Sequence, residues 1–128
     1  MRCDCRAVLV VDDDLDLRGA LELILEEEGY RVITASNGRE ALECLDRELP
    51  AVILLDMRMP VMDGWQFVRE FRSRHGSLCP IVVCTAAEDA RQRAAEVEAE
   101  GYLEKPFEID EVLAAIGAAL DLPGSCCT

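Results

Sequence analysis

The chain has 128 residues, 51% of them hydrophobic, which fits one globular domain with an ordinary core. Acidic residues outnumber basic ones by 26 to 13, giving a formal net charge of −13 at pH 7. Such a surface repels nucleic acid, so we expect no direct binding to DNA or RNA. The longest apolar runs, such as Ala51 to Leu55, are too short to cross a bilayer and no signal peptide is visible, which predicts a cytoplasmic domain without membrane insertion.

The chain begins with an apolar run followed by an amphipathic segment. Ala7 to Val11 is apolar throughout and has the length of a buried strand. The stretch that follows, to about Glu28, carries leucine and isoleucine on one helical face. Asp14 or Asp16 can cap the start of this helix, and Gly29 can end it in the left-handed conformation.

The same alternation continues to the end of the chain. Four further strands are predicted, at Arg31–Ala35, Ala51–Leu55, Pro80–Cys84 and Gly101–Leu103. Four further helices are predicted: a short one from Asn37-Gly38 that stops before Pro50, one after the loop Asp56–Gly64, a polar one over about Glu88–Ala99, and a last one that carries Ile109 and Leu120.

This order of elements predicts an α/β protein of the (βα)5 type. Near-continuous apolar strands that alternate with amphipathic helices indicate a parallel sheet with helices on both faces. Right-handed crossovers then give a doubly wound fold. We expect a single domain over residues 1–128, with its core at about 7–121 and a short tail at each end.

The second predicted strand ends in Ser36-Asn37, with nothing ionisable, whereas candidate site residues follow the other four. These are Asp12 and Asp13 after the first, Asp56 after the third, Thr85 after the fourth, and Glu104-Lys105 after the fifth. In an open parallel sheet, ligands bind outside the carboxyl ends of the strands, where the strand order reverses. If the order is 2-1-3-4-5, these four ends converge on one pocket.

Such a pocket requires a counter-charge. At about 4 Å and an effective dielectric constant near 20, each pair of carboxylates repels by roughly 4 kcal/mol. A hard divalent cation meets that demand, and Mg²⁺ suits a shallow site of two or three carboxylates that keeps some of its waters. Any one of these aspartates could instead be only a helix cap, which is the role we expect for Asp14.

Lys105 is the only lysine in the chain, and the other basic residues are twelve arginines. A lysine ammonium acts as a compact point charge toward a phosphoryl group, whereas arginine presents a wide planar fork. The position of Lys105 after the fifth strand therefore favours a functional role over chance.

Four motifs occur in an order and spacing that resemble those of bacterial response-regulator receiver domains of two-component systems. They are Val10-Val11-Asp12-Asp13-Asp14, Leu54-Leu55-Asp56-Met57-Arg58-Met59-Pro60 with Asp63-Gly64, Thr85-Ala86, and Lys105-Pro106-Phe107. The resemblance covers about Ala7 to Leu120. It implies the flavodoxin-like fold with strand order 2-1-3-4-5.

The resemblance also implies the metal and acceptor residues. Asp56 would be the phosphoacceptor, attacking phosphorus as a carboxylate nucleophile to form an aspartyl phosphate. Asp13 and Asp56 would bind Mg²⁺ directly, and Asp12 would help through water. The backbone carbonyl of Arg58 would supply a further ligand.

The remaining motif residues would contact the phosphoryl group or respond to it. Lys105 and Thr85 would each bind a phosphoryl oxygen, and the small Ala86 would keep the approach to the acceptor open. Pro106 would follow a cis peptide bond that aims Lys105. Tyr102 would turn inward behind Thr85 on phosphorylation, as an aromatic switch residue. The alternative is that Tyr102 is only a half-buried strand aromatic.

The partners implied by the resemblance are proteins. A histidine kinase or histidine phosphotransfer protein would donate the phosphoryl group, docking near the site loops and the first helix. A downstream protein would bind the surface of the fourth helix, fifth strand and fifth helix, around Glu88 to Leu120, where a weak dimer could also form. The protein would be a signalling switch that catalyses its own phosphorylation and dephosphorylation, not a conventional enzyme.

Several alternatives remain open at this stage. A pseudo-receiver would bind a partner without phosphorylation. A phosphatase with an aspartyl nucleophile matches only Asp12 and Asp14 and leaves Asp56 unexplained, and a flavodoxin-like carrier would need a phosphate cradle where this chain has three aspartates. The chain could act alone, as a relay intermediate or as part of a longer protein. Its kinase and its downstream partner are not indicated.

Arg58 departs from the commonest family choices at a position that tunes autodephosphorylation, and we hypothesise that its side chain reaches over the acyl phosphate and changes its lifetime. The alternative is a solvated loop arginine.

Three cysteines, Cys44, Cys79 and Cys84, are expected in the core. The terminal cysteines, Cys3, Cys5, Cys126 and Cys127, are expected to be reduced, although together they could bind a soft metal or form disulfides.

Overall fold

The computed structural model describes residues 3–76, 79–86 and 89–121, with only the backbone described for Cys3 and Asp4. Strands and helices alternate: β1 Cys3–Val11, α1 Leu15–Glu27, β2 Arg31–Ala35, α2 Gly38–Arg47, β3 Leu49–Leu55, α3 Gly64–His75, β4 Ile81–Ala86, α4 Ala90–Glu96, β5 Gly101–Lys105 and α5 Ile109–Leu120. The strands form one parallel sheet in the order β2-β1-β3-β4-β5. The fold class expected from the sequence is confirmed.

Side chains that alternate along the strands form two cores, one on each face of the sheet. Leu9 and Ile53 face the core that α2, α3 and α4 cover, together with Phe67 of α3. Val8 and Val52 face the opposite core, which α1 and α5 cover. This double burial explains why the central strands read as continuous apolar runs rather than alternating ones.

Four of the five strands have boundaries that differ from the sequence expectation. β1 begins at Cys3 instead of Ala7, and β3 begins at Leu49, so that Pro50 lies near the start of a strand, where a missing N–H is tolerated. β4 and β5 extend to Ala86 and Lys105, which are paired in register. Their mutual hydrogen bonds prolong both strands past the last apolar residue. Thr85 and Lys105 therefore lie at the ends of strands, not after them.

The fourth helix is shorter than the sequence indicated. It covers Ala90–Glu96 instead of Glu88–Ala99, and Glu88 lies outside the described residues. Arg72 of α3 donates hydrogen bonds to the carbonyl oxygens of Val97 and Glu98. Glu98 adopts a left-handed conformation with φ of 54°, which ends the helix.

The predicted ends of the first helix are confirmed. The Asp14 carboxylate accepts hydrogen bonds from the amides of Asp16 and Leu17, which identifies Asp14 as the N-cap. Gly29 follows the helix with φ of 94°, a conformation that a side chain would disfavour.

The cysteines divide into core residues and one disulfide. Cys79 and Cys84 are buried, and burial raises the pKa of each thiol to about 12, so they are inert core residues. Cys44 is free and half-buried. Cys5 is disulfide-bonded, where we expected a reduced thiol. The side chains of Cys3, Cys126 and Cys127 lie outside the described residues.

Within the described ranges, no helix is both long and apolar enough to span a membrane.

Candidate functional site

Three aspartates meet at the carboxyl ends of β1 and β3. The Asp56 amide donates a hydrogen bond to the Val11 carbonyl oxygen at 2.9 Å, and the Asp12 amide donates one to the Ala35 carbonyl oxygen at 3.1 Å. These bonds fix both residues to neighbouring strands. One carboxylate oxygen from each of Asp12, Asp13 and Asp56 lies within 4.8 Å of the other two. Asp12 is 3% exposed and Asp56 is 6% exposed, whereas Asp13 faces solvent.

Lys105 brings a positive charge to this cluster from β5. Its Nζ donates a hydrogen bond to Asp12 Oδ2 at 2.8 Å and lies 3.9 Å from Asp56 Oδ1. Burial alone would lower the pKa of the ammonium, but the Asp12 hydrogen bond and the Asp56 charge outweigh it, so the pKa is raised. The peptide bond between Lys105 and Pro106 is cis, as predicted.

Burial and a like charge shift the titration of Asp56. Burial is the largest cause that raises its pKa to about 6, and the Asp12 carboxylate adds to the shift. The Lys105 charge and the Arg58 backbone N–H oppose the rise without cancelling it. At pH 7 the ionised form still exceeds the acid by about tenfold, so a nucleophilic carboxylate is available.

Asp12 is held at four points. In addition to the contacts of its amide and of its Oδ2, its Oδ1 accepts a hydrogen bond from the Asp14 amide at 2.9 Å. Its carbonyl oxygen accepts one from Arg18 Nη1 at 2.7 Å. Sequence reasoning missed Arg18. A basic side chain one turn after the capping aspartate of the first helix was the available signal.

The loop after β3 approaches the site through its backbone. The Arg58 amide lies 3.4 Å from Asp56 Oδ1, at the long end for a hydrogen bond, while the Arg58 side chain is 67% exposed. The Gly64 amide donates to the Met57 carbonyl at 2.9 Å. A Cβ at Gly64 would lie 2.7 Å from the Met57 Cα, so only glycine allows this packing. The Asp63-Gly64 motif thus positions the loop that carries Asp56.

Thr85 and Ala86 lie on β4, the neighbour of β3, and Tyr102 lies on the edge strand β5. Thr85 is buried at the end of β4, and Ala86 is exposed next to it. Tyr102 is paired in register with Val83 and is 43% exposed. The structure thus places Thr85 and Ala86 at the same sheet edge as the acidic cluster, and Tyr102 on the adjacent surface.

A family model for the response regulator receiver domain matches residues 8–117. The chain belongs to this family. Its receiver domain is 41% identical over 115 residues to the response regulator MprA of Mycolicibacterium vanbaalenii, a match that covers 88% of this chain and 49% of MprA. The chemotaxis protein CheY4 of Vibrio cholerae has a similar solved structure, with 35% identity, a TM-score of 0.81, and coverage of 91% of this chain and 100% of CheY4.

A further similar structure is the receiver domain of the sensor histidine kinase PA1611 from Pseudomonas aeruginosa, which has a magnesium ion coordinated in the active site cleft. It is 29% identical to this chain with a TM-score of 0.83, and the match covers 93% of this chain and 100% of the PA1611 receiver domain.

The chain spans about half the length of MprA. It spans 24% of the length of another curated relative, the NtrC protein of Escherichia coli. The family resemblance of the four sequence motifs is confirmed, and with it a place in phosphorelay signalling.

Proposed function

We propose that this receiver domain accepts a phosphoryl group on Asp56 in a reaction that requires Mg²⁺. The observation that carries the proposal is the cluster of Asp12, Asp13 and Asp56 oxygens within 4.8 Å, with Lys105 Nζ beside two of them. Three carboxylates against one ammonium leave an excess of negative charge that a divalent cation would neutralise.

The donor set fits Mg²⁺. Asp13 and Asp56 would bind the ion directly, Asp12 through water, and the Arg58 backbone carbonyl would complete the protein ligands. The solved PA1611 receiver domain holds magnesium in its active site cleft, which supports this assignment. When bound, the cation would offset the negative charge that builds up on the transferred group.

The chain's own residues carry out the transfer. An Asp56 oxygen attacks phosphorus, the new P–O bond forms, and the bond to the donor breaks in line with it. Lys105 exchanges its contact with Asp12 for a phosphoryl oxygen, a short movement given its present 3.9 Å distance from Asp56 Oδ1. The Thr85 hydroxyl donates a hydrogen bond to another phosphoryl oxygen, and the small Ala86 leaves the approach to Asp56 open.

The output would be a change on the surface formed by α4, β5 and α5. Thr85 moves toward the phosphoryl group, and Tyr102, now 43% exposed, turns into the space behind it. A downstream protein would bind this surface. The net charge of −13 favours a protein over nucleic acid as that partner, with the domain a monomer or a weak dimer through the same surface.

The phosphoryl donor would be a histidine kinase or a histidine phosphotransfer protein in the cytoplasm. An apolar groove between α1 and the start of α5 offers a docking face. It is lined by Leu17, Ala20, Phe107 and Ile109, among others.

The test is incubation with acetyl phosphate, with and without Mg²⁺, read by intact mass and compared with Asp56→Asn. We expect the wild type to gain one phosphoryl group only with Mg²⁺, and the variant to gain none. A folded wild-type protein that binds Mg²⁺ but gains no phosphoryl group from acetyl phosphate or from histidine kinases would instead support a pseudo-receiver.

A further inference from the structure

The guanidinium of Arg58 lies beside Asp89, the N-cap residue of α4, and not beside the acidic cluster. Its Nη2 lies 3.9 Å from Asp89 Oδ2, and among the residues that the structure describes Asp89 is its ion-pair partner. The positive charge that acts on Asp56 comes from Lys105, while Arg58 contributes its backbone N–H. The loop therefore brings the amide of Arg58 to the acceptor and leaves the side chain beside the first turn of α4.

Asp89 is itself fixed in place. Its amide donates to the Ala86 carbonyl at 2.9 Å, and its Oδ1 lies 3.7 Å from Arg93 Nη2. Arg93 is 18% exposed, pairs with Glu96 at 3.0 Å and lies over the ring of Trp65. The Trp65 indole donates to the same glutamate at 2.9 Å. The Asp89 carboxylate thus sits between a fixed guanidinium and the exposed one of Arg58.

We propose that Asp89 is a positioning residue that holds Arg58 away from Asp56 and thereby shortens the lifetime of the acyl phosphate. This inference rests on the proposed function. Hydrolysis requires a water to attack phosphorus in line with the bond to Asp56; that bond breaks, and inorganic phosphate and the free carboxylate result. Arg58 lies two residues past the acceptor, so its guanidinium can cover the phosphoryl group and block the water.

The phosphoryl oxygens and the Asp89 carboxylate compete for the same guanidinium. While Asp89 holds Arg58, the attacking water has access and the acyl phosphate decays faster. Loss of the Asp89 charge leaves the phosphoryl group as the stronger partner for Arg58, and decay slows. Arg93 supports the withdrawn state because it keeps the Asp89 carboxylate in place.

The experiment measures first-order loss of the phosphoryl group after acetyl phosphate is removed, in the wild type, Asp89→Asn, Arg58→Ala and the double variant. We expect D89N to lengthen the half-life about two- to fivefold, the range that exposed ion pairs supply. R58A should decay at least as fast as the wild type, because Arg58 is already largely withdrawn there, and the double variant should decay like R58A. Asp89→Glu, which keeps the charge, should restore the wild-type rate.

Asp46→Asn provides the matched control, because it removes an exposed carboxylate that pairs with Arg74 at 3.0 Å elsewhere on the surface. It should decay like the wild type. Equal half-lives for D89N and wild type, or a D89N effect that persists without Arg58, would overturn the role of Asp89 but leave the proposed function intact. A wild type that takes up no phosphoryl group would overturn the proposed function and this inference with it.

Discussion

Lys105 Nζ donates a hydrogen bond to Asp12 Oδ2 at 2.8 Å across 93 positions of the chain. The same ammonium lies 3.9 Å from Asp56 Oδ1, so a single cation is shared between two buried carboxylates at neighbouring strand ends. With Asp13 the cluster keeps two negative charges in excess, which a divalent cation would balance. This unequal charge is the physical basis of the proposed switch.

Loss of the Lys105 ammonium should slow phosphorylation. In Lys105→Met, the phosphoryl oxygens lose their positive partner at the moment of transfer, and we expect the rate with acetyl phosphate to fall by about a hundredfold. Lys105→Arg should restore little of the rate, because a planar fork does not replace a point charge at this place. Arg39→Met, an exposed charge on α2, serves as the control and should react normally.

The raised pKa of Asp56 should make the free energy of unfolding depend on pH. The folded carboxyl group, with a pKa of about 6, binds a proton more readily than the unfolded one, whose ordinary pKa is 3.8. The ionised form therefore destabilises the fold at neutral pH, and this cost disappears as the pH falls through 6 toward 4. Without metal, Asp56→Asn should raise the free energy of unfolding at pH 7 by on the order of 1–3 kcal/mol.

Urea denaturation at pH 7 and at pH 4.5 measures this difference. The stabilisation by D56N should shrink at the lower pH, where the wild-type carboxyl group is largely protonated. Asp110→Asn, which replaces an exposed aspartate in the first turn of α5, should show no such dependence. A D56N variant less stable than the wild type at pH 7 would refute the assignment of a buried, destabilised carboxylate.

Magnesium should stabilise the folded protein through the acidic cluster. A ligand at a hundred times its Kd adds about 2.7 kcal/mol to the free energy of unfolding, which thermal melts with and without Mg²⁺ detect. Asp13→Asn should abolish most of this gain. Asp16→Asn removes an equally exposed charge from the first turn of α1 and should keep it. Equal gains in the two variants would exclude Asp13 as a ligand.

Gly64 should tolerate no side chain. In Gly64→Ala the new Cβ would lie 2.7 Å from the Met57 Cα, so the loop that carries Asp56 would have to move. We expect a loss of about 1–3 kcal/mol in the free energy of unfolding, measured in urea. In Gly19→Ala, inside α1, the added methyl group meets nothing within 4 Å, so this change should stabilise by about 0.5–1 kcal/mol. A neutral G64A would contradict the packing argument.

The sequence predicted the parts of this molecule that depend on local pattern. Apolar strands and helical spacing give the doubly wound sheet, and the aspartates that end β1 and β3 follow from the rule that such sheets bind ligands at their carboxyl ends. The N-cap role of Asp14 is also local, because its carboxylate binds the amides two and three residues on.

The features that the sequence did not predict depend on partners distant in the chain. β4 and β5 extend through Thr85 and Lys105 because the two strands bond each other there. The carbonyl oxygens just past the end of α4 accept hydrogen bonds from Arg72, which lies on another helix. The Arg58 side chain pairs with Asp89 across two loops, and no spacing in the sequence marks this contact.

The most direct test of the central claim is to locate the phosphoryl group chemically. The protein is treated with acetyl phosphate and Mg²⁺, reduced with borohydride, which converts an aspartyl phosphate to homoserine, then digested and sequenced by mass spectrometry. We predict homoserine at position 56 and at neither Asp12 nor Asp13. Homoserine at one of those two residues, or its absence from position 56 in a protein that has gained a phosphoryl group, would contradict the assignment of Asp56 as the acceptor.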